Sequence, residues 1–269
     1  MDIAWHIGRI VDRIRSIPAV AEQGLKDYCR RSYPDDVFIV SYPKSGNTWV
    51  RFLIGNYLTG CDCDWINVQQ LVPDLHQNPW VQPGLPRPRF FKSHCSYTRK
   101  YTKVVYLVRD VRDVVLSYYN HLLGKGRIEP KTSMRSFVED FNQGDVDDRC
   151  NWSDHVDSWM KNKRKDFMVL RYEDLGADTE AQLIRILRFA GVRVDRQRVK
   201  NAVEASRFDN MRALELRQRD MLYRRYGILL PSKFCRRGES KQWKANLSED
   251  EIDDLFCEHK EALERLDYV

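Results

Sequence analysis

Two short runs are apolar at every position, Val37-Phe38-Ile39-Val40 and Val104-Val105-Tyr106-Leu107-Val108. Continuous apolar runs of this length read as strands buried on both faces. The pattern predicts strands at Val37–Ser41, Arg89–Lys92, Lys103–Val108 and Phe167–Arg171. Between them the apolar spacing shifts to the helical period. Helices are expected at about 47–58, 110–123, 132–142, 151–162, 178–190, 195–204 and 249–265. Ile3, Ile7, Ile10, Val11, Ile14 and Ile17 predict a further amphipathic helix packed on the main body. Strands alternating with helices imply an α/β, P-loop-like three-layer fold with a central parallel sheet flanked by helices. No internal repeat or linker interrupts the pattern. A single domain over residues 1–269 is expected, with 1–33 as a helical segment packed on it.

Two stretches escape the periodic pattern. Pro73, Pro79, Pro83, Pro86 and Pro88 make 73–88 an irregular loop, because proline fixes φ and removes a donor. Residues 215–236 show no convincing period but carry Arg217, Arg219, Arg224, Arg225 and Arg236. This stretch is expected to be a long basic loop with a functional role.

Composition narrows the class. The chain has 269 residues, 42% hydrophobic and 31% charged. That is enough apolar material for a core without disulfide or metal staples. No run approaches the roughly 20 apolar residues of a membrane span. The first residues lack the basic and apolar regions of a signal peptide. Seven scattered cysteines, an odd number, fit free thiols in a reducing compartment, so a cytoplasmic protein is expected. Cys61-Asp62-Cys63 lacks a second Cys/His pair, and no metal site is expected. The net charge of +6 permits an anionic ligand without requiring nucleic acid, and neither nucleic acid nor a membrane is expected as a partner.

Ligands of such folds sit beyond the carboxyl ends of the strands. The first strand runs into Ser41-Tyr42-Pro43-Lys44-Ser45-Gly46-Asn47-Thr48-Trp49. A glycine turn opening a helix presents backbone N–H groups and a favourable dipole to an anion. Lys44 adds a mobile cation, and Ser45, Asn47 and Thr48 add short donors. Gly46 lets an oxygen approach the backbone. A Walker A loop has its lysine after the second glycine, whereas Lys44 precedes the only one. The third strand ends at Arg109-Asp110-Val111-Arg112-Asp113, and its helix carries Ser117 two turns on. Arginine plus hydroxyl can grip a second phosphate. Asp110 and Asp113 are expected to cap that helix or pair with Arg112. The second strand ends in Lys92-Ser93-His94, which places a lysine and a candidate general base two residues apart.

These segments together resemble the sulfotransferases of the cytosolic type, which use 3'-phosphoadenosine 5'-phosphosulfate (PAPS) and release PAP. The first loop and Arg109–Tyr119 are similar to the 5'- and 3'-phosphate motifs of that family, and Lys92-Ser93-His94 to its lysine-x-histidine segment. Arg171-Tyr172-Glu173-Asp174-Leu175 and Phe234-Cys235-Arg236-Arg237-Gly238, followed by Trp243-Lys244, resemble two further motifs in the family's order. The resemblance implies that Lys44, Ser45, Gly46, Asn47 and Thr48 hold the 5'-phosphosulfate end. It implies that Trp49 stacks on adenine with Phe208 beside it, and that Tyr172 and Ser206 bond the base edge. Arg109, Ser117, Arg236, Arg237 and Gly238 would hold the 3'-phosphate. His94 would be the general base, Lys44 and Lys92 would stabilise developing charge, and no metal would be required. The acceptor would be a small molecule with a hydroxyl or amine, met by loops carrying Trp65, Trp80, Tyr97, Tyr119, His121, Tyr223 and Tyr226.

The chain departs from the family at Asn47 and at Lys241-Gln242. Ser248-Glu249 stands where animal members carry a dimer motif, so the oligomeric state is left open. In length the chain resembles bacterial members. A P-loop kinase, or a nucleotide-binding module without catalysis, are the alternatives. The first lacks its lysine here, and the second does not account for Lys44, Lys92 and His94.

Overall fold

The computed structural model describes residues 33–75, 85–147, 150–162, 164–226 and 238–269, with the side chains of 225 and 226 excluded. The expected N-terminal helix, most of the apex of the Pro-rich loop with Trp80, and Arg236 and Arg237 lie outside these residues.

Four strands form one parallel sheet in the order β2-β1-β3-β4, with β1 Val37–Ser41, β2 Phe90–Ser93, β3 Lys103–Val108 and β4 Phe167–Arg171. The register pairs Phe38 with Phe91 on one side and with Val104 on the other. Alternation along the strands sorts the side chains into two layers. Phe38, Val40, Val104, Tyr106 and Val108 enter one core; Val37, Ile39, Val105 and Leu107 enter the other.

Helices cover both faces. The second core is closed by α1 (Asn47–Thr59), α6 (Tyr172–Ala177), α7 (Thr179–Ala190) and α8 (Arg196–Ala205). The first is closed by α3 (Val111–Gly124), α4 (Met134–Gln143), α5 (Trp152–Met160) and α10 (Glu249–Arg265). A short helix, α2 (Val68–Leu71), and a long one, α9 (Phe208–Tyr226), share a third cluster around Phe52, Trp65, Met211 and Leu222. Thus α1 leaves β1 toward one layer and α3 leaves β3 toward the other. The neighbouring strand ends therefore open a crevice between them.

The four expected strands are present, with β2 shifted one residue toward Ser93. The expected α10 matches residue for residue. Ser248 and Glu251 form a reciprocal capping box there, fixing its start. One expectation is corrected. Residues 215–226 are not a loop but the second half of α9. Its apolar stripe is thin, and polar contacts hold it instead. Gln218 bonds the Asp64 carboxylate and the Trp65 amide, and Arg219 pairs with Glu215 one turn earlier. Helices α2 and α6 are too short to leave a periodic signal in the sequence.

Candidate active site

The loop after β1 makes the floor of the crevice. Gly46 caps α1 in the left-handed region (φ 96°), and no side chain caps the helix start. Its first N–H groups are therefore left to face the crevice. A Cβ on Gly46 would sit 2.6 Å from Cδ2 of Tyr172, so only glycine fits beneath that ring. Asn47 does not turn outward. Its amide donates to the Ile39 carbonyl at 2.9 Å and to Ser41 Oγ at 3.2 Å, and it pins the loop to β1. Lys44 is also left-handed (φ 70°), an uncommon state for a residue with a side chain.

Arg109 ties the loops together. It leaves the carboxyl end of β3 and donates to the Lys44 carbonyl at 3.3 Å and the Glu239 carbonyl at 3.0 Å. Its guanidinium carbon lies 4.1 Å from the centre of the Tyr172 ring, a cation–π stack. Asp113 lies 3.7 Å away and accepts from the amides of Lys241 and Trp243 at 2.7 and 3.2 Å. Burial raises the Asp113 pKa, an effect opposed by Arg109 and by those amides. Asp113 thus anchors the 238–245 segment. Asp110 caps α3 through the Arg112 amide and pairs with the Arg112 side chain at 2.7 Å, as expected.

The residues expected around a base come together on one wall. Trp49 stands edge-on to Tyr172, with ring centres 5.8 Å apart, and donates to the Ser206 carbonyl at 3.1 Å. Tyr172 donates to the Gly238 carbonyl at 3.0 Å. Phe208 packs against Gly238 so closely that a Cβ there would lie 2.8 Å from its ring. The Ser206 hydroxyl is fully buried and accepts from Asn56 at 2.9 Å. Thr48 and Ser117 are half-buried on the first turn of α1 and mid-way along α3.

At the end of β2 the two expected groups have defined partners. The Lys92 ammonium pairs with the buried Asp74 carboxylate at 2.5 Å. Lys92 also bonds the chain at Pro73 and Leu75 through its backbone. His94 Nδ1 lies 2.7 Å from the Ser41 carbonyl. A carbonyl only accepts, so Nδ1 carries a proton, and in the neutral ring Nε2 then keeps the lone pair. Two residues stand out that the motif reading had not given these places. Asp74 holds Lys92, and His121 Nδ1 lies 3.3 Å from Lys44 Nζ. They are 18 and 77 residues from their partners, too far for any local pattern to signal.

The aromatic residues expected at the acceptor side divide. Trp65 is core and donates to the Met211 carbonyl, while Tyr97 packs edge-on to Trp159. Tyr119 donates to the Thr132 carbonyl, and the buried Tyr223 hydroxyl has no hydrogen-bond partner among the described residues.

Several buried polar atoms of these loops likewise lack a partner among the described residues: Ser45 Oγ, Asn47 Oδ1, Arg109 Nε, Gln242 Oε1 and Trp243 Nε1. Buried polar atoms are seldom left unsatisfied without a functional reason. A hydroxyl and a guanidinium N–H in a cradle of free helix amides suit an anionic oxygen. Among the described residues no group of three His, Cys, Asp or Glu side chains is placed to hold a metal ion. No described helix is long and apolar enough to cross a membrane.

The fold is that of a nucleotide-binding α/β protein, with a crevice between the ends of β1, β2 and β3. Residues 34–265 match the sulfotransferase domain model, and the chain belongs to that family. Human sulfotransferase 2A1 is 29% identical over 250 residues, covering 86% of each chain. Human sulfotransferase 2B1 is 31% identical over 233 residues, 78% of this chain; the match spans 61% of that relative's length. Among solved structures, retinol dehydratase in a complex with retinol and PAP superposes with a TM-score of 0.70 at 22% identity, covering 89% of this chain and 85% of that one. Mouse sulfotransferase SULT7A1 complexed with PAP gives a TM-score of 0.67 at 22% identity, covering 89% and 90%. The sulfotransferases named are human and mouse, and the expected likeness to bacterial members finds no support in them.

Proposed function

We propose that the chain transfers the sulfuryl group of PAPS to a hydroxyl or amine of a small-molecule acceptor, acting in the cytoplasm as one catalytic domain. The observation that carries the donor assignment is a pair of buried groups in neighbouring loops, Ser45 Oγ and Arg109 Nε, that have no hydrogen-bond partner among the described residues. Family membership and the PAP bound in the two structural neighbours support the same donor.

In this reading the loop at Lys44, Ser45, Gly46, Asn47 and Thr48 binds the 5'-phosphosulfate. Lys44 and Thr48 use side chains there, while Asn47 contributes its backbone and leaves its amide on β1. Trp49, Tyr172, Ser206 and Phe208 hold adenine. Arg109, Ser117, Arg236, Arg237 and Gly238 take the 3'-phosphate. The donor supplies an SO3 group that passes between two oxygens. Charge grows on the oxygen it leaves, so a fixed cation at that point lowers the barrier.

His94 takes the acceptor's proton through Nε2. The bond from Nδ1 to the Ser41 carbonyl fixes both the tautomer and the ring's direction, the arrangement of an oriented general base. Lys92 faces the sulfuryl oxygens from its ion pair with Asp74.

Incubation with sulfur-35-labelled PAPS and a panel of phenols, alcohols and amines tests the reading. Label should pass to one acceptor class, and His94→Ala should abolish transfer while still binding PAP. Turnover by His94→Ala equal to that of the native chain removes His94 as the base. No transfer together with no PAP binding would overturn the function itself.

A further inference from the structure

Helix α3 carries Ser117 and, one turn further, His121 on the same side. His121 lies half-buried at the crevice, and its Nδ1 is 3.3 Å from the ammonium of Lys44. An ammonium only donates, so Nδ1 accepts and Nε2 carries the ring proton. The other end of Lys44 is also held. Its carbonyl accepts from Arg109, and its backbone sits at φ 70°. A left-handed lysine persists only where its surroundings over-determine it. Lys44 is therefore gripped at backbone and head by two residues of the β3–α3 unit.

The geometry points to His121 as a positioning residue that aims Lys44 at the leaving oxygen of the donor. This rests on the function proposed above. The ring must be neutral to accept from an ammonium. Burial pushes its pKa well below the usual histidine value, and the positive charges of Lys44, Lys125, Arg127 and Lys92 push the same way. Those cations come from the β1–α1 loop, the segment after α3, and β2. Lysine has a long stem with many rotamers, and an ordered stem is a large part of a pre-organised site. Charge on the leaving oxygen is larger in the transition state than in bound PAPS. A loosened Lys44 should accordingly cost turnover more than ground-state nucleotide binding.

Two variants of the full chain separate the outcomes. His121→Leu removes the acceptor at similar bulk; His121→Asn returns an oxygen close to the place of Nδ1. Three quantities are read: acetic-anhydride labelling of Lys44 without nucleotide, the KM for PAPS, and inorganic sulfate released from PAPS with water as acceptor. Losing one hydrogen bond to a charged group should slow sulfate release about tenfold in His121→Leu. The KM for PAPS should move less than about threefold. Lys44 labelling should rise severalfold while other lysines stay unchanged, and His121→Asn should recover native behaviour. Unchanged labelling in His121→Leu, or an Asn variant as impaired as the Leu variant, overturns the inference. A native chain that neither binds PAP nor consumes PAPS sinks the functional reading instead, and the labelling arm still decides whether His121 holds Lys44.

Discussion

Replacing Gly46 by alanine tests the architecture of the crevice most directly. Two costs add at this position. The backbone sits at φ 96°, ψ 7°, where a Cβ costs roughly 1–2 kcal/mol. The new methyl would also lie 2.6 Å from Tyr172 Cδ2, inside any real contact. The ring cannot move away freely, because its hydroxyl bonds Gly238 and Arg109 stacks on its face. Displacing it forfeits a hydrogen bond worth about 1 kcal/mol and a cation–π contact worth about 0.5–1 kcal/mol. The total is about 3 kcal/mol. A double-mutant cycle resolves it. Gly46→Ala should cost about 3 kcal/mol in urea unfolding in the native background. In a Tyr172→Leu background, with the ring gone, only the backbone part of about 1–2 kcal/mol should remain. PAP affinity should fall at least tenfold in the first case. Equal costs in both backgrounds would refute the claim that the Tyr172 ring enforces the glycine.

Two other perturbations follow from buried groups. Asp74→Asn removes the carboxylate that Lys92 meets at 2.5 Å, and breaking a buried pair from one side should cost about 3–5 kcal/mol. Adding Lys92→Met should recover much of that loss in thermal melts; a double variant no more stable than the single one would show the pair is not responsible. His259 is buried and neutral, accepting from Ser153 at 2.7 Å and donating to Asn142 at 3.2 Å, and burial pushes its pKa down to about 3. The unfolded chain titrates near the ordinary histidine value. It therefore binds a proton below about pH 6.5 that the folded chain refuses until about pH 3. Stability should fall by about 1.4 kcal/mol per pH unit across that window, and His259→Gln should lose this slope. Parallel pH profiles for the two proteins would contradict it.

The sheet was legible because its strands are buried on both faces, so Val37–Val40 and Val104–Val108 are apolar without interruption. The start of α10 was legible because Ser248 and Glu251 write their capping box within a single turn. Helix α9 was not. Few of its side chains are buried, and those that hold it reach Asp64 and Trp65, more than 140 residues back. The donor cradle could be read as a cradle because its pieces each follow a strand. What each piece does within it could not. Asn47 looked like a phosphate donor but spends its amide on Ile39 and Ser41. Lys92 looked like a bare cation but shares a bond with Asp74. Such pairings depend on which chain segments the fold brings together, and local spacing does not encode them.

The departure of α1 and α3 toward opposite faces of the sheet has a mechanical consequence. The β1–α1 loop belongs to one helical layer, and Arg109 is rooted in the other. Whatever occupies the space between them is a peg driven through a three-ply board. Neither outer ply can peel from the sheet while the peg is in, and under the proposed donor assignment grip on the nucleotide would at the same time be grip of the protein on itself.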